Sequence, residues 1–273
     1  YYYDYILPLG SYLYKMDESE YSAIPATRER ASVSYYRDSI SGILRKNAEY
    51  IGFSSNFTIY DTDDSKRVIK DCIKQLGFSD KIITPKGVLS EISRAKDMMI
   101  SPDEYLKENY MDLRKRNIGS VYEAYQMRLK NADAMDFDDM LLHTLELFEK
   151  CPDVLEYYQD RFKYIMVDEY QDTNPVQEAI ITALANVDHL FMVGDDDQSI
   201  YRFRGARPEI MLGFQEDYPN ARQILLDTNY RSRKQIVEAA LKVINHNEKR
   251  FAKEIKAVRP EGTPVITAMF DNQ

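Results

Sequence analysis

Asp168 and Glu169 stand side by side directly after the apolar run Tyr164-Ile165-Met166-Val167. A carboxylate at the tip of a buried strand can hold Mg²⁺, usually through water, while its backbone stays in the sheet. A second carboxylate beside it can orient or deprotonate an attacking water. An Asp-Glu pair alone is a common pattern. Its place after an apolar strand, with Gln171 and Asp172 following, narrows it to the half of a nucleotide-hydrolysing site that manages metal and water.

A second cluster runs Val193-Gly194-Asp195-Asp196-Asp197-Gln198-Ser199-Ile200-Tyr201-Arg202-Phe203-Arg204-Gly205-Ala206. Gln198 can sense a terminal phosphate by hydrogen bonding. Beyond it Tyr201 and Phe203 alternate with Arg202 and Arg204, a pattern that suits single-stranded nucleic acid, with rings on bases and guanidiniums on phosphates. The same two rings also fit core positions, with the arginines solvated. A third cluster, Leu226-Asp227-Thr228-Asn229-Tyr230-Arg231-Ser232, offers an arginine able to reach a γ-phosphate and a tyrosine able to stack on a nucleobase. His143, His189 and His246 lie far apart beside unrelated patterns, and ordinary surface or core roles are expected for them.

The elements that must position these residues are legible in outline. Three short apolar runs, 164–167, 190–193 and 224–226, each end abruptly in polar residues. Apolar runs without alternation suit strands covered on both faces of a parallel sheet. The stretches 175–187 and 208–217 between them read as helices, so this half of the chain has strand–helix alternation. In such sheets ligands gather beyond the carboxyl ends of strands, where the polar clusters fall.

Upstream, Ile40, Ile43, Leu44 and Ile51 recur at helical spacing, and Asn56-Phe57-Thr58-Ile59-Tyr60 reads as a short strand. Asp61-Thr62-Asp63-Asp64 supplies a helix cap and first-turn negative charge. Val68, Ile69, Cys72, Ile73 and Leu76 make the face of the helix it opens, closed by Gly77. Residues 85–150 read as helical almost throughout, with Pro85 and Pro102 near helix starts and Asp136-Phe137-Asp138-Asp139 opening another helix. Lys249, Arg250, Lys253 and Lys256 read as a basic, solvated helical face.

Composition sets outer limits. The sequence has 273 residues, 44% of them hydrophobic, enough to fill a core and to exclude wholesale disorder. Its formal charge of −9 argues against wrapping nucleic acid by net charge, though not against a local groove. With 22 tyrosines and no tryptophan, any stacking surface must be built from Tyr and Phe. No run approaches the ~18 apolar residues of a membrane span. Cys72 and Cys151 fit neither a disulfide framework nor a zinc motif, which predicts a cytoplasmic setting.

Taken together, Val167-Asp168-Glu169-Tyr170-Gln171-Asp172-Thr173-Asn174, Gly194 to Ala206 and Asn229-Tyr230-Arg231-Ser232 resemble the UvrD/Rep/PcrA family of superfamily 1 DNA helicases. The likeness extends more loosely through Asn56 to Asp61, Ser93-Arg94-Ala95-Lys96 and Asp136 to Asp139, back to about residue 43; residues 1–33 have no place in it. It implies an α/β fold, a parallel RecA-like (P-loop NTPase-type) sheet carrying a large all-helical insertion subdomain. Residues 1–61 would belong to the first RecA-like core domain, 62–135 to the insertion, 136–223 to the rest of the first core domain, and 224–273 to the start of the second. It also implies ATP and Mg²⁺ as cofactors, and single-stranded DNA or single/double-strand junctions as partners, tracked 3′ to 5′. By carry-over, Asp168 would hold Mg²⁺ and Glu169 would activate water. Gln198 would read the γ-phosphate, Arg231 would contact it, and Tyr230 would stack on adenine. Tyr201, Phe203 and Arg204 would touch the DNA strand.

The departures are specific. No Gly-x-x-x-x-Gly-Lys-Ser/Thr loop, which would supply backbone amides and a lysine to the β- and γ-phosphates, occurs in the 273 residues. The family's Thr-Phe-His-Ser motif would align with Tyr35-Tyr36-Arg37-Asp38, which does not preserve it, and Phe203 stands where the family usually has tryptophan. The expectation is a fragment or degenerate form of a DNA helicase that does not turn over ATP alone. A non-catalytic DNA- or partner-binding module of the same fold is the alternative. A metal-dependent nuclease is disfavoured, since the acidic clusters fall at helix starts and at the family's motif positions.

Overall fold

The computed structural model describes residues 36–79, 83–162, 164–185, 190–199 and 206–266. Tyr201, Phe203, Arg204 and residues 1–33 lie outside them. The chain divides into two compact units, one holding residues up to Asp195 together with Ser199–Ile210, the other holding Asp196–Gln198 and Met211–Gln273.

In the first unit α1 (Tyr36–Asn47) buries Ile40, Ile43 and Leu44. Its expected continuation to Ile51 is a tighter 3₁₀ turn, Ala48–Ile51, stopped by Gly52 at φ +72°, a left-handed conformation that glycine adopts without steric cost. Strand β1 is Thr58–Ile59. Asp61 then caps α2 (Thr62–Gln75) as the acidic cluster predicted, its carboxylate accepting from the N–H groups of Asp63 at 2.8 Å and Asp64 at 2.9 Å. Helices α3 (Pro85–Asp97) and α4 (Pro102–Glu108) begin with proline behind a Thr84 or Ser101 cap, and α5 (Leu113–Asn131) follows.

The apolar faces of α2 to α5 meet in one core, with Ile73, Ile92, Val121 and Tyr125 almost wholly buried. Gly119 of α5 lies against Leu106 and Tyr105 so closely that a Cβ there would overlap the leucine side chain. The chain then returns to the starting sheet, where β2 (Ala134–Met135) pairs in parallel with β1, Thr58 opposite Ala134 and Ile59 opposite Met135. The helical run is therefore threaded between two neighbouring strands.

Helices α6 (Phe137–Lys150) and α7 (Pro152–Arg161) lead into β3 (Ile165–Val167), a 3₁₀ turn (Tyr170–Asp172), α8 (Pro175–Leu184) and β4 (Leu190–Met192). Strands β3 and β4 are parallel, with Ile165 opposite Leu190 and Val167 opposite Met192. Helix α9 (Pro208–Asp217) follows at the range its sequence predicts.

In the second unit the expected strand at 224–226 is not one. Ile224, Leu225 and Leu226 are exposed, and pairing starts only where the Lys256 N–H donates to the Asp227 carbonyl at 2.7 Å. The strand is β5 (Thr228–Arg233), parallel to β6 (Lys256–Arg259), with α10 (Lys234–Ile244) between them. An apolar run signals burial only when backbone partners and a covering face accompany it, and here the ladder begins after the run ends. The fold is mixed α/β, with small parallel sheets and a large helical region, as a RecA-like core with a helical insertion requires. Among the described residues no helix is long and apolar enough to cross a membrane.

Candidate functional site

The acidic loop sits at the carboxyl ends of β3 and β4. Beyond the paired residues the Val193 N–H donates to the Val167 carbonyl at 2.7 Å, and the Tyr170 N–H donates to the Val193 carbonyl at 2.9 Å. These bonds fix the backbone on both sides of Asp168 and Glu169. Glu169 itself has φ +53° and ψ 40°, left-handed geometry that a residue with a Cβ adopts at a cost and that recurs at functional turns. Its N–H donates to Asp168 Oδ1 at 2.9 Å.

Gln171 is buried beneath this turn. Its Nε2 donates to Glu169 Oε2 at 2.7 Å, and its Oε1 accepts from the Asp195 N–H at 2.9 Å. Asn174 closes the loop as the cap of α8. It accepts from the Gln177 N–H at 2.9 Å, and its own N–H donates back to Gln177 Oε1 at 3.0 Å. Its Nδ2 donates to Asp97 Oδ1 at 2.7 Å, tying the loop's end to the last residue of α3.

The electrostatics of the loop fit a cation. Burial pushes Asp168 and Asp172 above the ordinary carboxylate range, and the charge of Glu169 adds to the effect in both. Asp172 Oδ1 is buried without a hydrogen-bond partner. Among the described residues no three His, Cys, Asp or Glu side chains form a metal cage. Mg²⁺ does not need one, since one or two carboxylates suffice when water and phosphate oxygens complete its octahedron.

Gln198, Tyr230 and Arg231 fall in the second unit. Gln198 ends the 3₁₀ turn Asp196–Gln198 with its side chain exposed. The two aspartates before it are heavily paired. Arg250 donates to both oxygens of Asp197, through Nε at 2.7 Å and a terminal nitrogen at 2.6 Å. Lys253 pairs with Asp196 and lies 3.2 Å from Asp197, and the Phe251 N–H donates to Asp196 Oδ2 at 2.8 Å. The Arg250 bonds are the leading cause that holds Asp197 below the ordinary range.

The basic residues Lys249, Arg250, Lys253 and Lys256 therefore do not form the solvated helical face expected of them; Lys256 opens β6. Lys249, Arg250 and Lys253 lie in irregular chain after α10, and Arg250 and Lys253 are taken up by carboxylates. Tyr230 and Arg231 project from β5, both exposed, where Asn229 Oδ1 accepts from the N–H groups of Arg231 at 3.0 Å and Ser232 at 2.8 Å.

The UvrD/REP helicase N-terminal domain matches residues 37–219. The chain belongs to the UvrD/REP helicase family. It is 44% identical over 224 residues to the ATP-dependent DNA helicase PcrA of Staphylococcus epidermidis, covering 82% of this chain and 31% of that protein. To the protein of the same name from Bacillus subtilis it is 41% identical over 244 residues, covering 88% and 33%. The chain thus spans about a third of the length of the curated relatives it matches.

Two features of this family member escape motif reading. One is the buried cluster in which Lys96 contacts Asp136 Oδ2 and Asp139 Oδ1, each at 2.7 Å, with the Tyr125 hydroxyl donating to Asp136 at 2.8 Å. The acidic group at 136–139 does cap α6 by a reciprocal Asp136–Asp139 box, as its sequence suggests, but it also neutralises a lysine brought from α3. The other is the double role of Gln171, which the sequence shows only as a member of the motif following Asp168 and Glu169.

Proposed function

We propose that this chain is the nucleotide- and strand-handling part of an ATP-dependent DNA helicase that translocates 3′ to 5′ on single-stranded DNA. The observation that carries the reading is the acidic loop: two adjacent carboxylates at the carboxyl end of β3, of which Glu169 is held in left-handed geometry and tied through Gln171 to Asp195 in the loop after β4. Asp168 is suited to hold Mg²⁺, which when bound neutralises charge on the β- and γ-phosphates. Glu169 accepts the proton of, or orients, the attacking water. Gln198 and Arg231 serve the γ-phosphate, Tyr230 the adenine ring, and Tyr201, Phe203 and Arg204 the DNA. On this reading residues 62–135 are the helical insertion, 1–61 with 136–223 the first core domain, and 224–273 the beginning of the second.

The test is ATP hydrolysis by the full-length gene product with and without single-stranded DNA. DNA-stimulated turnover that falls to a small residual rate in Glu169→Gln supports the reading. DNA binding with no hydrolysis in the parent protein supports the alternative, a non-catalytic binding module. The 273 residues alone, which contain no Gly-Lys phosphate loop, are expected to show no turnover. A titration of single-stranded DNA at several salt concentrations tests the strand contacts. Phe203→Ala should weaken binding at every salt, whereas Arg204→Ala should also flatten the salt slope.

A further inference from the structure

Gln171 is 1% exposed, and each end of its side-chain amide is engaged. The NH₂ group meets a carboxylate, Glu169 Oε2, at 2.7 Å; the oxygen meets a backbone N–H, that of Asp195, at 2.9 Å. A carboxylate only accepts and a backbone N–H only donates, so rotating the amide by half a turn would break both bonds. The partners therefore determine its orientation. The residue's own backbone is anchored as well, its carbonyl accepting from the Ser199 hydroxyl at 3.3 Å. Tyr170, just before it, donates its N–H to Val193 at 2.9 Å.

Glu169 is a residue whose carboxylate needs such a hold. Its backbone is left-handed, and it sits at the end of a three-residue strand. A glutamic side chain has several rotatable bonds, and an unanchored carboxylate would sample many directions. We propose that Gln171 is a positioning residue for ATP hydrolysis: it grips Glu169 Oε2, sets the direction in which that carboxylate faces water, and references it to Asp195 in the loop after β4. This rests on the reading of Glu169 as the group that orients the attacking water.

Two substitutions separate the halves of the bridge. Gln171→Glu keeps an acceptor for the Asp195 N–H but loses the donor and sets a like charge against Glu169. Gln171→Met keeps the length and removes both bonds. In the full-length gene product both should lower kcat for DNA-stimulated hydrolysis by roughly ten- to a hundredfold, with the KM for ATP within about twofold. If Gln171 acts through Glu169, adding Gln171→Met to Glu169→Gln should cost little of the residual rate, because residues that act as a unit are not additive. An equal loss in both backgrounds, or an unchanged kcat, overturns the proposal.

Hydrogen exchange at the Asp195 amide of the 273-residue chain gives a readout independent of turnover. Protection should persist in Gln171→Glu and fall in Gln171→Met. Equal exchange in all three proteins overturns the bridge even where hydrolysis is normal. A parent protein with no hydrolysis, in which Gln171→Met still exposes that amide, sinks the ATPase reading and leaves the bridge standing.

Discussion

Lys96 and Asp136 meet at 2.7 Å across 40 positions of sequence, and the lysine side chain is fully buried. Burial works against the ammonium charge, but the Asp136 and Asp139 carboxylates overcome it and hold the lysine well above its ordinary value. The contact joins the end of α3 to the first turn of α6, so a helix of the threaded run is bolted to the segment that follows β2.

Removing the cation alone should be severe. Lys96→Met leaves two buried carboxylates with no counter-charge, which typically costs about 3–5 kcal/mol. Adding Asp136→Asn and Asp139→Asn to that variant should restore part of the loss, because the uncompensated charges are then gone. Urea unfolding of the 273-residue chain measures both. A Lys96→Met protein as stable as the parent would show that the buried pair contributes nothing.

The neighbouring residue gives a pH dependence. Asp97 is pushed up to about 8, first by burial and then by the negative charge of Asp138, against the opposing hydrogen bond from Asn174. A carboxyl group whose folded value is raised keeps its proton in the native state after the unfolded chain has lost it. Its contribution is complete below about pH 4 and declines as pH climbs towards 8, by at most ~1.4 kcal/mol per pH unit. Asp97→Asn keeps an oxygen for Asn174 Nδ2 and cannot ionise. The variant should therefore lose less stability than the parent between pH 5 and pH 8, a range covered by unfolding midpoints at about four pH values. Parallel curves for the two proteins would exclude Asp97 as the source.

These two residues also mark where sequence reading stops. The Ser93 to Lys96 stretch and the 136–139 acidic group were each visible as segments, and the capping of α6 follows from local spacing. Their meeting in space does not, because helical periodicity says which face is covered and not which side chain covers it. The same boundary explains the strands. At 165–167 and 190–192 an apolar run coincides with a paired strand, within a residue of the range its sequence predicts. At 224–226 composition was the same and the partner was missing. The acidic loop is legible because its motif is contiguous from Asp168 to Asn174, while its ties to Asp195 and Asp97 are not. The basic residues around 250 were misread because their role depends on Asp196 and Asp197, more than fifty positions away.

That last pairing yields a measurable coupling. Arg250 presents a planar fork to both oxygens of Asp197, and a terminal nitrogen also donates to Asn245 Oδ1 at 2.8 Å. The side chains are 11% and 17% exposed, so solvent screening is limited. Hydrogen bonds to a charged group of this kind typically contribute about 1.5–3 kcal/mol net. Arg250→Met and Asp197→Asn should each destabilise the second unit, and the double variant should lose less than the sum. A coupling energy of about 1–2 kcal/mol in that cycle is the expected result. Lys253 stays beside both aspartates and will absorb part of the loss in Arg250→Met, so the cycle is best repeated with Lys253→Met in the background. Strict additivity there would mean that the fork geometry holds nothing, leaving the Phe251 N–H bond to Asp196 as the tie that keeps this turn in the second unit.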